Sequence, residues 1–338
     1  MRVLVTGGAG YIGSHTCTRL LEAGHEVTVL DNFQNSRPEV LDRVQTITDA
    51  TLEVLHADVR APESFTEFMG EWKPEAVVHF AGLKSVNESV EKPAEYYSTN
   101  VQGTVNVARA FVEVGGGAFV FSSTAAVYGA EATMPVTEDS PTRPVNPYGW
   151  SKLMAEQVLK DIHTAHPQLS VALLRYFNPV GAHPSGLIGE DPAGVPANLM
   201  PYMARVADGT YRSLKVFGND YPTADGSGVR DFLHVDDLAE SHLVALKSLA
   251  GDPGLVTWNV GRGEGVSVFE MVAAFERVTG REIPFTVEPR RPGDVAESYA
   301  DPTEIERATT WRAGRSVDDM VADLWRWQRG GMSCLGGK

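Results

Sequence analysis

Tyr148 and Lys152 stand four residues apart behind Pro147, so a helix starting there brings a phenol and an ammonium onto one face. Free tyrosine titrates near pH 10, and service as a base near neutrality needs a downward shift of roughly three units, about 4 kcal/mol. A neighbouring cation favours the phenolate, which makes the pair a candidate for proton abstraction. The spacing alone is common in helices. It gains weight from Ser122-Ser123-Thr124, which follows the apolar run Phe119 to Phe121 and stands a hydroxyl at a strand end. The same hydroxyl would serve as a helix cap, the alternative for Thr124.

A second constellation opens the chain. Gly7-Gly8-Ala9-Gly10-Tyr11-Ile12-Gly13 carries G-x-G-x-x-G spacing between a strand-like run, Arg2 to Thr6, and a helical segment, Ser14 to Ala23. Asp31 ends the next strand, His25 to Leu30, 18 residues past Gly13. Small residues let the backbone approach a pyrophosphate, a helix amino terminus supplies N–H donors, and a carboxylate accepts from a ribose hydroxyl. Asp31 would repel a 2′-phosphate, which favours NAD over NADP. A strand-to-helix turn with no ligand is the alternative. Asp58-Val59 and Phe80-Ala81-Gly82-Leu83-Lys84 follow the third and fourth strands, placed for adenine and for phosphate and nicotinamide ribose. His79, inside the fourth strand, reads as a core histidine rather than a catalytic one.

The elements that must position these groups are also visible. Leu52 to Leu55, Ala76 to Phe80, Ala118 to Phe121 and Leu169 to Arg175 are short apolar runs, as in parallel strands buried on both faces. With helices between them, among them Ala94 to Val114 behind Pro93, they predict an α/β fold with a doubly wound parallel, Rossmann-type sheet. We assign residues 1–176 to it and 177–329 to a smaller mixed α/β lobe, with the chain crossing between lobes and a frayed tail at 330–338. Asn178 to Pro196 and Asn219 to Val229 are Gly-containing loops without periodicity, and loops of this length usually carry function. Val268 to Thr279 and Val317 to Gln328 have the pattern of amphipathic helices closing the second lobe.

The 338 residues carry 29 Lys and Arg against 44 Asp and Glu, a net charge of −15, which speaks against nucleic acid and membrane partners. Two cysteines, Cys17 and Cys334, cannot build a disulfide framework and suit a reducing compartment. Without a signal peptide or a bilayer-length apolar stretch, the expected location is cytoplasmic, so the sequon Asn87-Glu88-Ser89 is discounted. No residues have metal-site spacing, and His234 to Asp237 reads as structural.

Together the glycine motif, Ser122-Ser123-Thr124 and Tyr148-x-x-x-Lys152 resemble the extended short-chain dehydrogenase/reductase family. Finer strings are similar to its nucleotide-sugar 4-epimerases: His79 to Lys84, Arg175 to Pro179 with Gly181-Ala182-His183, Asn198 to Pro201, Phe217 to Tyr221, and Val229-Arg230-Asp231 with His234-Val235. The likeness runs from Met1 to Gln328. It implies tightly held NAD and reversible 4-epimerisation of UDP-glucose and UDP-galactose through a transient 4-keto sugar. Tyr148 would take the 4-hydroxyl proton while a hydride passes from carbon 4 to the nicotinamide and returns to the opposite face. Thr124, where many relatives have serine, would bond the reacting oxygen; Lys152 would bind the nicotinamide ribose and lower the Tyr148 pKa.

The resemblance also implies cofactor contacts at Gly7, Gly10, Tyr11, Ile12, Gly13, Asp31, Asn32, Phe33, Asn35, Ser36, Asp58, Val59, Phe80, Ala81, Gly82, Lys84, Asn100, Tyr148, Lys152 and Phe177. Substrate contacts are implied at Lys84, Thr124, Tyr148, Asn178, Asn198, Leu199, Val216, Phe217, Arg230, Arg291, Asp294 and Ser298. Arg230 and Arg291 suit a bidentate clamp on a diphosphate, with surface salt bridges as the alternative, and Asp294 suits a uridine ribose. Ser298 stands where a bulky residue narrows the sugar pocket, which implies activity on UDP-GlcNAc and UDP-GalNAc as well. A homodimer is implied through helices near Ala94 to Val114 and Lys152 to His163.

Two rival readings differ in chemistry. A nucleotide-sugar 4,6-dehydratase carries Asp-Glu just after the threonine, where this chain has Ala125 and Ala126, and alanine cannot move a proton. A non-catalytic NAD-binding scaffold has no use for Thr124, Tyr148 and Lys152 together.

Overall fold

The apolar runs of the first half pair side by side. A computed structural model describes residues 1–192, 194–251, 254–291 and 293–330; the remainder of the expected tail, with Cys334, lies outside the described residues. The strands are β1 (Arg2–Thr6), β2 (Glu26–Asp31), β3 (Glu53–His56), β4 (Ala76–His79), β5 (Gly117–Thr124), β6 (Leu169–Tyr176), β7 (Asn178–Val180), β8 (Leu214–Phe217), β9 (Val229–His234), β10 (Leu255–Val260), β11 (Gly265–Ser267), β12 (Phe285–Glu288) and β13 (Glu297–Ser298). The helices are α1 (Tyr11–Glu22), α2 (Glu39–Thr48), α3 (Thr66–Trp72), α4 (Val86–Glu91), α5 (Pro93–Tyr96), α6 (Gly103–Glu113), α7 (Pro147–Ala165), α8 (Leu199–Ala207), α9 (Val235–Gly251), α10 (Val268–Thr279), α11 (Thr303–Ala308) and α12 (Val317–Arg329).

Seven strands form one parallel sheet in the order β10-β6-β5-β4-β1-β2-β3. Alternate residues serve opposite faces. Val3 and Val5 of β1 join a core with Leu20 of α1, Val44 of α2 and Leu246 of α9. Leu4, between them, joins Met69 of α3, Phe111 of α6 and Leu159 of α7 on the other side. Strand order reverses between β1 and β4, so a crevice opens above the carboxyl ends of the strands there. The glycine turn after β1, residues 80–84 after β4 and Thr124 at the end of β5 all stand on that rim.

The segment expected as one helix over Ala94 to Val114 is a helical run whose middle, Tyr97–Gln102, winds as a π-helix between α5 and α6. Such stretches occur often at functional sites, and Asn100 lies within this one.

After β6 the chain leaves the sheet, builds β7 to β9, and returns. α9 packs on α1, and β10 pairs with β6 from Leu255 opposite Val171 to Val260 opposite Tyr176. The second lobe holds β11, β9 and β13 with β7 beside β9, and a separate pair, β12 and β8. Its core joins Met203 of α8, Phe232 of β9, Phe275 of α10 and Leu324 of α12. α10 and α12 begin where expected because Ser267 with Glu270, and Ser316 with Asp319, form reciprocal caps. A mixed α/β lobe was expected here, but its individual strands were not located: they are two to six residues long, and several are half polar. Among the described residues no helix is long and apolar enough to cross a membrane.

Candidate active site

The glycine turn is shaped so that only glycine fits. Gly7 has φ 69°, and a Cβ there would lie 2.7 Å from the Ala81 nitrogen; one on Gly13 would lie 2.3 Å from the Gly7 carbonyl oxygen. Gly10 precedes α1 with no side-chain cap, and the Ser14 N–H is bonded to its carbonyl at 2.9 Å. The N–H groups of the first helical turn before Ser14, at Tyr11, Ile12 and Gly13, are thus left for an anion. Asp31 ties this turn to the next: Oδ2 accepts from Ala9 N at 3.0 Å, and Oδ1 from Phe33 N at 2.9 Å and Ser36 Oγ at 2.8 Å. Oδ2 keeps capacity for a ribose hydroxyl. Phe33 is held at φ 55°, a costly conformation for a bulky residue. Asn32 Nδ2 donates to Asp58 at 2.9 Å, and Arg60 with Asn32 holds the Asp58 carboxyl well below the usual carboxylate range. Val59 is buried and Asn35 exposed on either side of this corner. A cradle with no room for a Cβ at Gly7 or Gly13, beneath an uncapped helix and beside a carboxylate with a lone pair to spare, fits a dinucleotide.

The candidate catalytic groups converge at the end of β5. Thr124 Oγ1 accepts from Ala126 N at 3.1 Å, capping the turn that follows. α7 starts at Pro147 with Asn146 Oδ1 accepting from Gly149 N at 2.8 Å. A Cβ on Gly149 would lie 2.6 Å from the Ala126 carbonyl oxygen, so the helix start presses on that turn. Tyr148 is thereby brought beside Thr124, whose hydroxyl favours the phenolate. The threonine both caps and faces the phenol. Lys152 Nζ donates to the Ser122 carbonyl at 2.8 Å and lies 4.9 Å from the Phe121 ring centroid.

The electrostatics depart from expectation. Burial raises the Tyr148 pKa above its ordinary value, outweighing the Thr124 hydroxyl and the charge of Lys84, both of which lower it. The Lys152 ammonium is directed to the Ser122 carbonyl. Its own pKa is lowered to about 8 by burial, against the opposing pull of Glu156.

Glu156, one turn beyond Lys152, anchors this corner. It accepts from Arg175 Nε at 3.0 Å and Nη2 at 2.7 Å, and from Ser123 Oγ at 2.5 Å, with both charged residues buried. Arg175 Nη1 donates to the Tyr128 hydroxyl at 2.9 Å, and that hydroxyl to Asn259 of β10 at 2.6 Å. Sequence reasoning missed this pairing; its signal was a lone arginine closing an apolar strand.

Asn100 stands behind the rim. Its amide accepts from Leu83 N at 2.8 Å and donates to Leu83 O at 3.0 Å and Ser151 Oγ at 2.8 Å. At 1% exposure it holds the Gly82 to Lys84 turn from beneath. Phe80 lies with its ring 4.8 Å from that of His242, and Phe177 is buried. His79 bonds Thr6 Oγ1 at 2.6 Å and Thr104 Oγ1 at 3.0 Å, and burial lowers its pKa to about 3. It is a core histidine.

The second lobe faces this rim. Tyr11 donates from its hydroxyl to the Gly181 carbonyl at 2.7 Å, joining the glycine turn to that lobe. Val216 and Phe217 close β8, and the Arg291 guanidinium lies 3.8 Å from the Phe217 ring centroid. Arg230 of β9 donates to the Val229 carbonyl at 2.8 Å, with Asp294 at 3.9 Å. Ser298 pairs with Arg230 in register, and Asn178 with Phe232. Asn198 precedes α8, whose first residue is Leu199, yet its side chain does not cap the helix. Its Nδ2 donates to Glu190 Oε1 at 3.0 Å, and Lys84 Nζ donates to the same oxygen at 3.0 Å. Glu190 was also missed, within a loop whose lack of pattern hid it. Among the described residues no group of three acidic, His or Cys side chains could hold a metal ion. His234 accepts at Nδ1 from Asp236 N at 3.0 Å, with Nε2 3.3 Å from Asp323.

A family model described as the NAD dependent epimerase/dehydratase family matches residues 3–261. The UDP-glucose 4-epimerase of Bacillus subtilis (strain 168) is 54% identical over 328 residues, 97% of this chain and of that protein. The crystal structure of UDP-glucose-4-epimerase from Stenotrophomonas maltophila, with bound NAD and formylated UDP-arabinopyranose, is similar at TM-score 0.96 and 46% identity over 98% of each chain. That of UDP-glucose 4-epimerase from Bifidobacterium longum, with NAD+ and UDP, is similar at TM-score 0.93 and 45% identity over 98% of this chain and 99% of that one.

Burial of Lys152 costs stability when no ligand is bound. Its folded pKa of about 8 lies below the ordinary 10.5, so between those values the unfolded chain holds more protons and stability rises with pH. Lys152→Met is expected to stabilise the ligand-free protein by about 2–3 kcal/mol at pH 7, with the gain fading as pH climbs from 8 towards 10.5. Urea unfolding of both proteins across that range checks this; a gap independent of pH would contradict it.

Proposed function

This chain belongs to the NAD dependent epimerase/dehydratase family, and on that premise we propose that it interconverts UDP-glucose and UDP-galactose by inverting carbon 4 of the hexose. The observation that carries this reading is Tyr148, at the start of α7, set beside Thr124 at the carboxyl end of β5, on the same rim as the glycine cradle. NAD, when bound, supplies the acceptor that takes hydride from carbon 4 and returns it to the opposite face, so the reaction has no net redox change. The cradle at Gly7, Gly10 and Gly13 with the α1 amino terminus holds its pyrophosphate, Asp31 its adenosine ribose, and the remaining Lys152 donors its nicotinamide ribose.

Tyr148 removes the proton from the 4-hydroxyl and gives it back, while Thr124 holds the same oxygen. Because burial raises its pKa in the ligand-free protein, the phenolate depends on positive charge near it, of which Lys84 is the protein's own contribution. Arg230 and Arg291 clamp the diphosphate, Val216, Phe217 and Asp294 receive the uridine, and Lys84, Asn178, Asn198, Leu199 and Ser298 surround the hexose. In this reading residues 1–176, with α9 and β10 returned to them, are the cofactor lobe and the rest is the sugar-nucleotide lobe. Ala125 and Ala126 offer no group for eliminating water, which argues against dehydration.

The reading extends to assembly. Val86 and Val90 of α4, with Trp150 and Met154 of α7, are large apolar side chains left exposed, which supports a homodimer built on α7. Sedimentation at micromolar concentration should return a dimer that Trp150→Glu dissociates; a wild-type monomer rejects the proposal. Ser298 leaves room beside the hexose, so UDP-GlcNAc should be turned over as well as UDP-galactose. Brisk UDP-galactose turnover with none on UDP-GlcNAc rejects that breadth. For the chemistry itself, Tyr148→Phe should lower kcat for UDP-galactose by about 10²- to 10⁴-fold. Turnover within twofold of wild type would sink the mechanism.

A further inference from the structure

Lys84 and Asn198 enter the cleft from opposite lobes, one from the turn after β4 and the other from the start of α8. Each is long or flexible enough to point elsewhere, and nothing in their own elements fixes them together. They meet on a single atom: Glu190 Oε1 accepts from Lys84 Nζ at 3.0 Å and from Asn198 Nδ2 at 3.0 Å. From this we infer that Glu190 is a positioning residue that locks Lys84 and Asn198 into one hexose-holding unit spanning the two lobes. The inference rests on the epimerase reading above and assigns Glu190 a part in it.

Glu190 is itself held firmly. It is 8% exposed, and its carbonyl accepts from Trp327 Nε1 of α12 at 3.4 Å. A Cβ on the preceding Gly189 would lie 2.6 Å from the Trp327 ring, so the loop is seated flat against that indole. A buried carboxylate with a fixed backbone is a better anchor than either side chain it holds. The Lys84 side chain, by contrast, keeps 65% of its surface open. Its ammonium has two further donors for hexose hydroxyls while Glu190 fixes its direction. Asn198 likewise forgoes capping α8 in order to donate to Glu190, which leaves its amide oxygen free to accept.

The charge matters as well as the geometry. Lys84 and Lys152 both bring positive charge to the rim, and Glu190 balances the first of them. Replacing Glu190 by glutamine keeps the shape, removes that charge, and weakens the bond to Lys84 most. The uridine and diphosphate contacts proposed for Phe217, Arg230 and Arg291 lie on other elements, so they should not feel the change.

The test separates the hexose from its nucleotide. In Glu190→Gln, kcat/KM for UDP-galactose is expected to fall at least tenfold, while inhibition by UDP alone stays within twofold of wild type. UDP inhibition also reports that the variant is folded. A second arm uses Lys84→Met: if the two residues act as one unit, the losses in the single variants do not multiply in the double variant. Should Glu190→Gln fail to fold, the double variant, which removes the cation with the anion, is compared with Lys84→Met instead, and near-equal activities are expected. Unchanged kcat/KM in Glu190→Gln, a parallel loss of UDP affinity, or fully multiplicative losses would overturn the inference. A wild-type protein that binds NAD but does not turn over UDP-galactose would overturn the epimerase reading, and this one with it.

Discussion

The carboxylate of Glu156 and the guanidinium of Arg175 lie side by side beneath the carboxyl edge of the sheet, and the geometry of the catalytic corner descends from that contact. Glu156 shares a helix with Tyr148 and Lys152, while its third partner, Ser123, is the neighbour of Thr124. The pair therefore sets how far α7 is rotated and advanced against the end of β5. Removing either partner would strand a buried charge, at a cost of roughly 3–5 kcal/mol. A well-packed apolar pair would serve the fold's stability as well, but it would not specify the same rotation, since dispersion contacts are indifferent to small slides that a two-pronged hydrogen bond forbids.

A chain of net charge −15 can bind two diphosphates only by local means. In the proposed reading one meets the amino terminus of α1, an array of backbone donors that carries no formal charge at all. The other is assigned in that reading to Arg230 and Arg291, the first partly buried, the second laid over Phe217. Global charge governs long-range encounter and solubility, whereas these sites act at contact distance where the average is irrelevant. The same locality explains Tyr148. Its resting pKa is raised by burial and pulled back by the Thr124 hydroxyl and by Lys84, a lysine from another strand's turn.

What could be read from residue order was whatever repeats locally. The parallel strands were visible as unbroken apolar runs, the cofactor turn as glycines between a strand and a helix, and α10 and α12 as amphipathic periods. Tyr148, Lys152 and Thr124 were legible because strand ends and helix starts set them. The direction of the Lys152 ammonium was not, since a long side chain chooses among partners that only the fold brings near. Glu190 sits in a stretch without period, and its two partners are 106 and 8 residues away in the chain. Short strands such as β12 and β13 lean on β8 and β9 for their existence and have no pattern of their own.

The return of the chain to the sheet has a bearing on how this protein is made. β10 closes the edge of β6, and α9 covers the exposed side of α1. Both are encoded after the whole of β7 to β9. On the ribosome, a nascent chain that has emerged only as far as β6 presents an open strand edge and an uncovered apolar helix face, the two features that invite pairing with other chains. That exposure lasts until the segment ending at Val260 is released, so the cofactor lobe cannot be finished before much of its neighbour has been translated.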